Sequence, residues 1–459
     1  MYNITAMFEK TFRGGVHPAQ HKELTVDKRI KSIPAPPEII LPLTQHIGAP
    51  NNPLIGPGDV VKEGQRIAES ESFVSAPVHS SVSGRVKAIR NFFNPVHGMA
   101  RAAIIENDGK NEDEPFVAAR LHQDFTGQGE DPGALPKEKL INIIKEAGIV
   151  GLGGAAFPTH VKLKIPKGKK VDTLIANGAE CEPYLTCDHR LMIEKTGKII
   201  KGIYLAAGIL GVKNIFVAVE QNKLSAAFAF EKTIREIKGS SRQNIPIRVT
   251  VLKTKYPQGG EKQLVKAILG KEIPPGKLPL DVGSVIQNVG TCLALYEAVY
   301  EGKPLIERCV TLSGSCLREP GNFIVRLGTP LKDAVKFCGG FTEPPAKIIA
   351  GGPMMGITQY TLDAPIIKGT AGVVFLSKKE TEIPEELPCV RCGRCVDICP
   401  VNLLPTEIMR MVKYSRWHRM EELHPSDCIE CGACSYACLS KIPLVQYIKL
   451  AKQKELKKK

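Results

Sequence analysis

Eight cysteines near the C-terminus constrain this chain more than any other feature. Cys389, Cys392, Cys395 and Cys399 form one run and Cys428, Cys431, Cys434 and Cys438 a second, each spaced C-x2-C-x2-C-x3-C. Pro400 follows the first run and Leu439 the second. Three thiols two residues apart can face one iron–sulfur cubane from a single tight loop. In the bacterial-ferredoxin spacing the fourth cysteine of each run ligates the other of two [4Fe–4S] clusters. One cluster is therefore expected on Cys389, Cys392, Cys395 and Cys438, and the second on Cys428, Cys431, Cys434 and Cys399. Gly393 and Gly432 lie inside these loops, where the lack of a Cβ eases close backbone approach. Zinc usually takes two separated pairs of ligands. Disulfides need an oxidising compartment, and Met1–Lys10 has no apolar stretch of the kind a secretory leader carries. The cysteines predict one-electron traffic without naming its source or its sink.

At 459 residues the chain is too long for one hydrophobic core, and three or four domains are expected. The most apolar stretch, Ile199–Val219, is interrupted by Lys201, Lys213, Asn214 and three glycines, so it reads as helix–turn–strand rather than a membrane span. The formal charge is +15. Two oxidised clusters at about −2 each, with one phosphorylated cofactor at about −2, would leave roughly +9. With one Trp and no basic–aromatic motif, nucleic-acid binding is the weaker explanation. A basic surface suits an acidic electron carrier or a membrane subcomplex. The five lysines of Lys452–Lys459 read as a solvated, frayed end.

Up to about residue 125 the chain is rich in Pro, Gly and short β-like runs. Gly58-Asp59-Val60-Val61-Lys62-Glu63-Gly64 and the later Ser83-Gly84-Arg85-Val86 predict a turn-bounded strand pair and its hairpin return. They resemble the barrel-sandwich of lipoyl and biotinyl carrier domains. No lysine lies between Glu63 and Arg85, so the fold is expected without the carrier function. Helices at Lys137–Ala147 and Gly202–Leu210 alternate with strands at Val171–Ala176 and Asn214–Val219, the rhythm of an α/β sheet with a site at its strand ends. Cys309–Gly314, Gly321–Val325 and Leu331–Cys338 suggest a small α+β module. Glu382–Pro388 reads as a linker, and Pro405–Trp417 and Leu444–Leu450 as helical.

Four loops stand out. Gly151-Leu152-Gly153-Gly154-Ala155-Ala156-Phe157-Pro158-Thr159 is not the dinucleotide fingerprint, because Ala156 occupies its last glycine position. By itself it fits a tight turn or a helix C-cap better than a binding loop. Its company gives it weight: Asn177-Gly178-Ala179-Glu180-Cys181-Glu182-Pro183, Tyr256-Pro257-Gln258-Gly259-Gly260-Glu261-Lys262 and Asn288-Val289-Gly290-Thr291 each combine glycine with a polar or acidic residue. Glycines let a phosphate or ring approach the backbone.

These four loops resemble the FMN and NADH loops of the flavin subunit of respiratory complex I. With Phe12-Arg13-Gly14-Gly15-Val16-His17-Pro18, the carrier-like N-terminal part and the two-cluster tail, nearly the whole chain resembles the RnfC family. These are the soluble subunits of Rnf ion-translocating ferredoxin:NAD oxidoreductases. The resemblance implies a multidomain α/β and α+β chain. An N-terminal barrel-sandwich is expected at 1–130, an α/β FMN-binding domain at 131–303, a β-grasp (SLBB) module at 304–380 and a helical two-[4Fe–4S] ferredoxin-like domain at 381–459. It also implies that Gly151, Gly153, Gly154, Asn177, Glu180, Tyr256, Gly259, Asn288 and Thr291 line FMN. Phe157, Lys162, Glu182 and Glu261 are expected to contact NAD(H), with Phe157 stacked on the nicotinamide. Implied partners are the membrane subunits of the complex, ferredoxin or the iron–sulfur subunit that receives from it, and NAD(H). The implied location is peripheral, on the cytoplasmic face of the membrane.

The chain departs from the complex I pattern at Leu152 in place of arginine, Ala179 in place of aspartate and Gly260 in place of glutamate. Two other readings stay open at this stage: a flavin/iron–sulfur cobalamin reductase of a metabolic microcompartment, and a non-enzymatic electron-transfer adaptor. Of the cysteines outside the runs, Cys187, Cys292, Cys309, Cys316 and Cys338 are expected as small buried hydrophobes. Cys181 is set apart by its place in the flavin loop. His17, His46, Trp417 and Met354–Met355 read as structural.

Overall fold

The computed structural model describes residues 10–114, 131–237, 245–382 and 384–456. Its centre is a four-stranded parallel sheet ordered Ile247–Leu252, Asn214–Glu220, Thr173–Gly178, Ser284–Asn288. The two central strands, Asn214–Glu220 and Thr173–Gly178, are mostly apolar because both their faces are covered. Leu174, Ala176, Ile215 and Val217 pack with the helices Thr196–Leu210 and Val289–Tyr300. Ile175, Phe216 and Ala218 turn the other way, onto Leu264, Val265 and Ile268 of the helix Glu261–Leu269. The stretch read as helix–turn–strand is the helix Thr196–Leu210, closed by Gly211 at φ 67°, followed by the strand Asn214–Glu220. Chain order reverses at Thr173–Gly178, whose neighbours are the second and the last strand of the sheet. A crevice therefore opens between its carboxyl end and that of Ser284–Asn288, the usual ligand position in such sheets.

The N-terminal part is a sandwich. One sheet is ordered Glu38–Pro42, Gly98–Asn107, Gly84–Asn94, Val60–Val61, and the other Asn52–Pro53, Arg66–Glu69, Val78–His79. Ile39, Leu41, Ile67, Val78, Val86 and Ile105 form its interior, which runs without a break into the core of the parallel-sheet domain. The module after residue 300 is a six-stranded mixed sheet carrying the helix Leu331–Phe337. Its edge is completed by Lys31–Ser32, paired in parallel with Phe323 and Ile324. The cluster module packs Pro405–Lys413 against Leu444–Leu456 through Ile408, Met409, Leu444 and Ile448. The first of these helices stops at Lys413, short of the sequence reading, and Trp417 sits in a separate turn beneath the Lys454 ammonium, 4.1 Å from its ring. Among the described residues no helix is long and apolar enough to cross a membrane.

Candidate functional site

The crevice predicted by strand order is where the four loops meet. The helix Val289–Tyr300 starts at the end of the last strand, and Asn288 caps it by accepting from the Gly290 and Thr291 amides. The same side chain donates from Nδ2 to Asp188 Oδ2 at 2.7 Å. The glycine loop lies over this cap. The Leu152 amide donates to Thr291 Oγ1 at 2.9 Å, and the Gly151 amide closes the loop onto the Phe157 carbonyl at 2.9 Å. A Cβ on Gly153 would lie 2.6 Å from the Asn288 amide nitrogen, whereas one on Gly154 would meet nothing within 4 Å. The loop is thus pinned on one side and open on the other. The Thr159 hydroxyl, just beyond it, is buried and has no partner among the described residues.

The loop after the first strand forms the facing wall. Asn177 donates to the Gly259 carbonyl at 2.9 Å and accepts from the Ala179 amide, joining two of the predicted loops. The Gly259 amide donates to Cys181 Sγ at 3.3 Å, and burial pushes the Cys181 thiol above its ordinary range. Glu180 accepts from the Asp188 and His189 amides at the start of the helix Cys187–Glu194. Burial first, then the Glu180 carboxylate, pushes Asp188 up to about 7. Behind both lies Arg308, fully buried, its guanidinium donating to the carbonyls of Leu152, Cys309 and Lys368. A cation from the neighbouring module thus supports the glycine loop whose own arginine position is Leu152.

The four residues expected at the nucleotide lie on the outer side. Lys162 and Glu261 form a half-exposed pair at 2.5 Å, and Phe157 is 37% exposed. Glu182 is buried. Its carboxylate accepts from the Met354 and Met355 amides at 3.0 and 2.9 Å, and burial pushes it up to about 7. The Gly352–Gly356 loop therefore wraps Glu182. Sequence reasoning placed Met354–Met355 only as packing and gave no role to Asp188 or Arg308. A charged residue between Glu307 and the buried Cys309 was the one available signal for Arg308.

The two cysteine runs fold alike. Gly393 and Gly432, both at φ 75°, start short helices. The Arg391 amide donates to Cys389 Sγ at 3.4 Å and the Glu430 amide to Cys428 Sγ at 3.3 Å, the N–H···S bonds that tune such clusters. Cys399, Cys428, Cys431 and Cys434 line one cavity. Cys395 faces Cys389 and Cys438 instead. Cys399 of the first run thus lies with the second, Cys438 of the second lies with the first, and the chemistry of these thiols fits two [4Fe–4S] clusters. Cys389 and Cys392 are exposed. The other set abuts the parallel-sheet domain: Tyr256 Oη donates to the Cys431 carbonyl at 2.8 Å, and Gln263 to the Pro400 carbonyl at 3.3 Å. Tyr256, expected beside the flavin, is 1% exposed and directs its hydroxyl to the cluster loop. Of the remaining cysteines, Cys187, Cys292, Cys309, Cys316 and Cys338 are buried and Cys181 is partly so.

A glycine-lined crevice at a parallel sheet's switch point, joined to two cysteine runs that exchange their last thiols, defines a flavin and iron–sulfur electron-transfer chain. Four family descriptions match in order: the RnfC barrel sandwich hybrid domain at residues 10–110, the Nuo51 FMN-binding domain at 144–297, the SLBB domain at 309–358 and the 4Fe-4S dicluster domain at 388–442. The chain is 46% identical over 445 residues to a subunit of the proton-translocating ferredoxin:NAD(+) oxidoreductase complex of Clostridium ljungdahlii, covering 96% of this chain and 93% of that one. It is 42% identical to the corresponding subunit of the Na(+)-translocating complex of Acetobacterium woodii, covering 96% of each. It is 43% identical over 400 residues to the corresponding subunit of the ion-translocating oxidoreductase complex of Rhodobacter capsulatus, covering 87% of this chain and 74% of that one. The chain belongs to the RnfC family, whose members are subunits of ion-translocating ferredoxin:NAD oxidoreductase complexes. A crystal structure of NAD+-reducing [NiFe]-hydrogenase in the H2-reduced state shares the fold, with a TM-score of 0.51 and 17% identity. The match covers 71% of this chain and 61% of the hydrogenase chain.

Proposed function

We propose that this chain passes electrons between reduced ferredoxin and NAD(H) as the peripheral electron-transfer subunit of an Rnf complex, on the cytoplasmic face of the membrane. Ion movement belongs to membrane partner subunits. The observation that carries the reading is the direct seam between the flavin loops and the Cys399/Cys428/Cys431/Cys434 set, made by Tyr256 and Gln263. When bound, FMN exchanges a hydride with nicotinamide and single electrons with clusters, which is why it fits between the two.

The chain's own residues do the holding. Gly151, Gly153 and Gly154 give the backbone approach that a phosphorylated ring needs, and Asn288 and Thr291 hold that loop. Asn177 and Gly259 fix the facing wall, with Glu180 anchoring its return. Phe157, Lys162 and Glu261 form the accessible rim where nicotinamide nucleotide is read, and Glu182 keeps the Gly352–Gly356 loop closed beneath it. The exposed Cys389 and Cys392 put their set on the side that meets the ferredoxin or its relay subunit. The intact wall-to-loop hydrogen bonds favour this enzyme reading over an adaptor with degenerate flavin loops. Anaerobically purified protein should contain one FMN and two clusters, and NADH should bleach the flavin absorbance. Protein that holds flavin which NADH leaves oxidised would break the nucleotide assignment.

A further inference from the structure

The FRGGVHP motif has no part in either cofactor site, yet it lies where the two meet. The Gly15 amide donates to the Ile398 carbonyl at 2.8 Å, next to the ligand Cys399. Val16 and Tyr256 exchange two backbone hydrogen bonds, each 2.8 Å. One short strap thus touches a cluster loop and a flavin loop through adjacent residues. Gly14 and Gly15 have φ of 82° and 84°, a region that L side chains rarely adopt. A Cβ on Gly14 would sit 2.8 Å from the Ile398 oxygen, and one on Gly15 2.7 Å from the Tyr256 oxygen. Nothing larger than glycine fits either side of the seam.

Buried lysines fasten the strap at both ends. Lys255 donates to the Phe12 carbonyl and, at 2.9 Å, to that of Gly14, and lies 3.8 Å over the Phe12 ring. Lys22 donates to the carbonyls of Glu180 and Glu182, in the wall of the flavin crevice, and of Leu185 just after it. Burial holds both ammonium groups down at about 8. Three carbonyl acceptors for one buried cation is a costly arrangement to leave unmet, so the strap is held to a single position rather than draped over the surface.

We propose that the strap Lys10–Lys22 is a positioning clasp that sets the spacing between the flavin loops and the Cys399/Cys428/Cys431/Cys434 loop, and so governs electron hand-over across that seam. This rests on the flavin and cluster reading above. Gly15→Ala in the loaded, full-length protein tests it. NADH should bleach the flavin at the parental rate, since no strap residue lies in the nucleotide rim. Subsequent cluster reduction should slow severalfold, because electron hand-over weakens as the gap between the flavin loops and the cluster loop widens. Iron and FMN content should stay parental, while the Val16 and Tyr256 amides exchange hydrogen faster. Gly14→Ala, which presses on the cluster side, should act alike.

Parental hand-over in both variants overturns the clasp. So does a fall in both half-reactions together with thermal stability, which would make the strap a fold brace. Should Gly15→Ala lose its cofactors, Lys255→Met releases Phe12 and Gly14 without adding bulk. Cofactor loss there too refutes the spacing role. Failure of NADH to bleach the parent refutes the underlying reading instead, before any variant is made.

Discussion

Asn288 shows how much one side chain can settle in this site. Its carbonyl oxygen closes two helix amides, its NH2 group reaches Asp188, and its body backs Gly153. The motif Asn288-Val289-Gly290-Thr291 is legible as a helix start because capping is local chemistry. Asp188 and Arg308 are not legible, because what makes them important comes from segments far away in sequence. Asp188 titrates up to about 7 through burial beside Glu180. The folded chain therefore binds this proton more tightly than the unfolded chain does. The stability it contributes is fully present below about pH 4, the unfolded value, and is lost as pH rises through about 7. Asp188→Asn removes that titration. Its thermal midpoint should gain on the parent's as pH climbs through this window, and a gap that stays constant with pH would contradict the buried-acid account.

At the scale of elements, the crevice depends on how closely two helices approach. Gly202, in Thr196–Leu210, faces the Cys292 carbonyl in Val289–Tyr300, and a Cβ there would overlap that oxygen. Alanine is the better helix former by about 1 kcal/mol, but forcing the helices apart costs roughly 1–3 kcal/mol. The second effect wins, so Gly202→Ala should lower the thermal midpoint. It should also weaken FMN retention, since the displaced helix carries Thr291. Gly208 in the same helix is the control: a Cβ there meets nothing within 4 Å. Gly208→Ala should therefore raise stability by about 0.5–1 kcal/mol. Equal effects at the two positions would show that propensity, not packing, decides. The sequence pattern exposes this helix and the strand after it through the run of apolar residues broken at Gly211. It does not distinguish the two glycines, because the atom that separates them belongs to another helix.

At the scale of the molecule, the order of the four modules follows from their motifs, and their joints do not. The joint between the flavin loops and the cluster loops rests on isolated hydrogen bonds, such as Tyr256 to Cys431 and Gly15 to Ile398, and on the small apolar contact of Val16, Tyr256, Cys431 and Ala433, none of which leaves a periodic trace in sequence. Charge is the one whole-molecule property that composition states outright. The chain carries +15, reduced by cofactors to roughly +9. Around the outward cluster, Cys389 and Cys392 are exposed together with Val390 and Leu387, with Arg391 in the same loop and Arg394 at the start of the helix that follows. An apolar spot bordered by arginines suits an acidic iron–sulfur protein, steered by long-range attraction and then seated by desolvation. The screening length shrinks from about 30 Å at 0.01 M salt to about 3 Å at 1 M. The second-order rate of cluster reduction by ferredoxin should therefore fall steeply over that range, while hand-over from flavin to cluster within the chain stays constant. Arg391→Glu with Arg394→Glu should flatten the salt dependence and lower the rate at low salt, leaving reduction of the flavin by NADH unaltered. A ferredoxin rate indifferent to salt in the parent would place the docking surface elsewhere, on a partner protein of the complex rather than on this cluster loop.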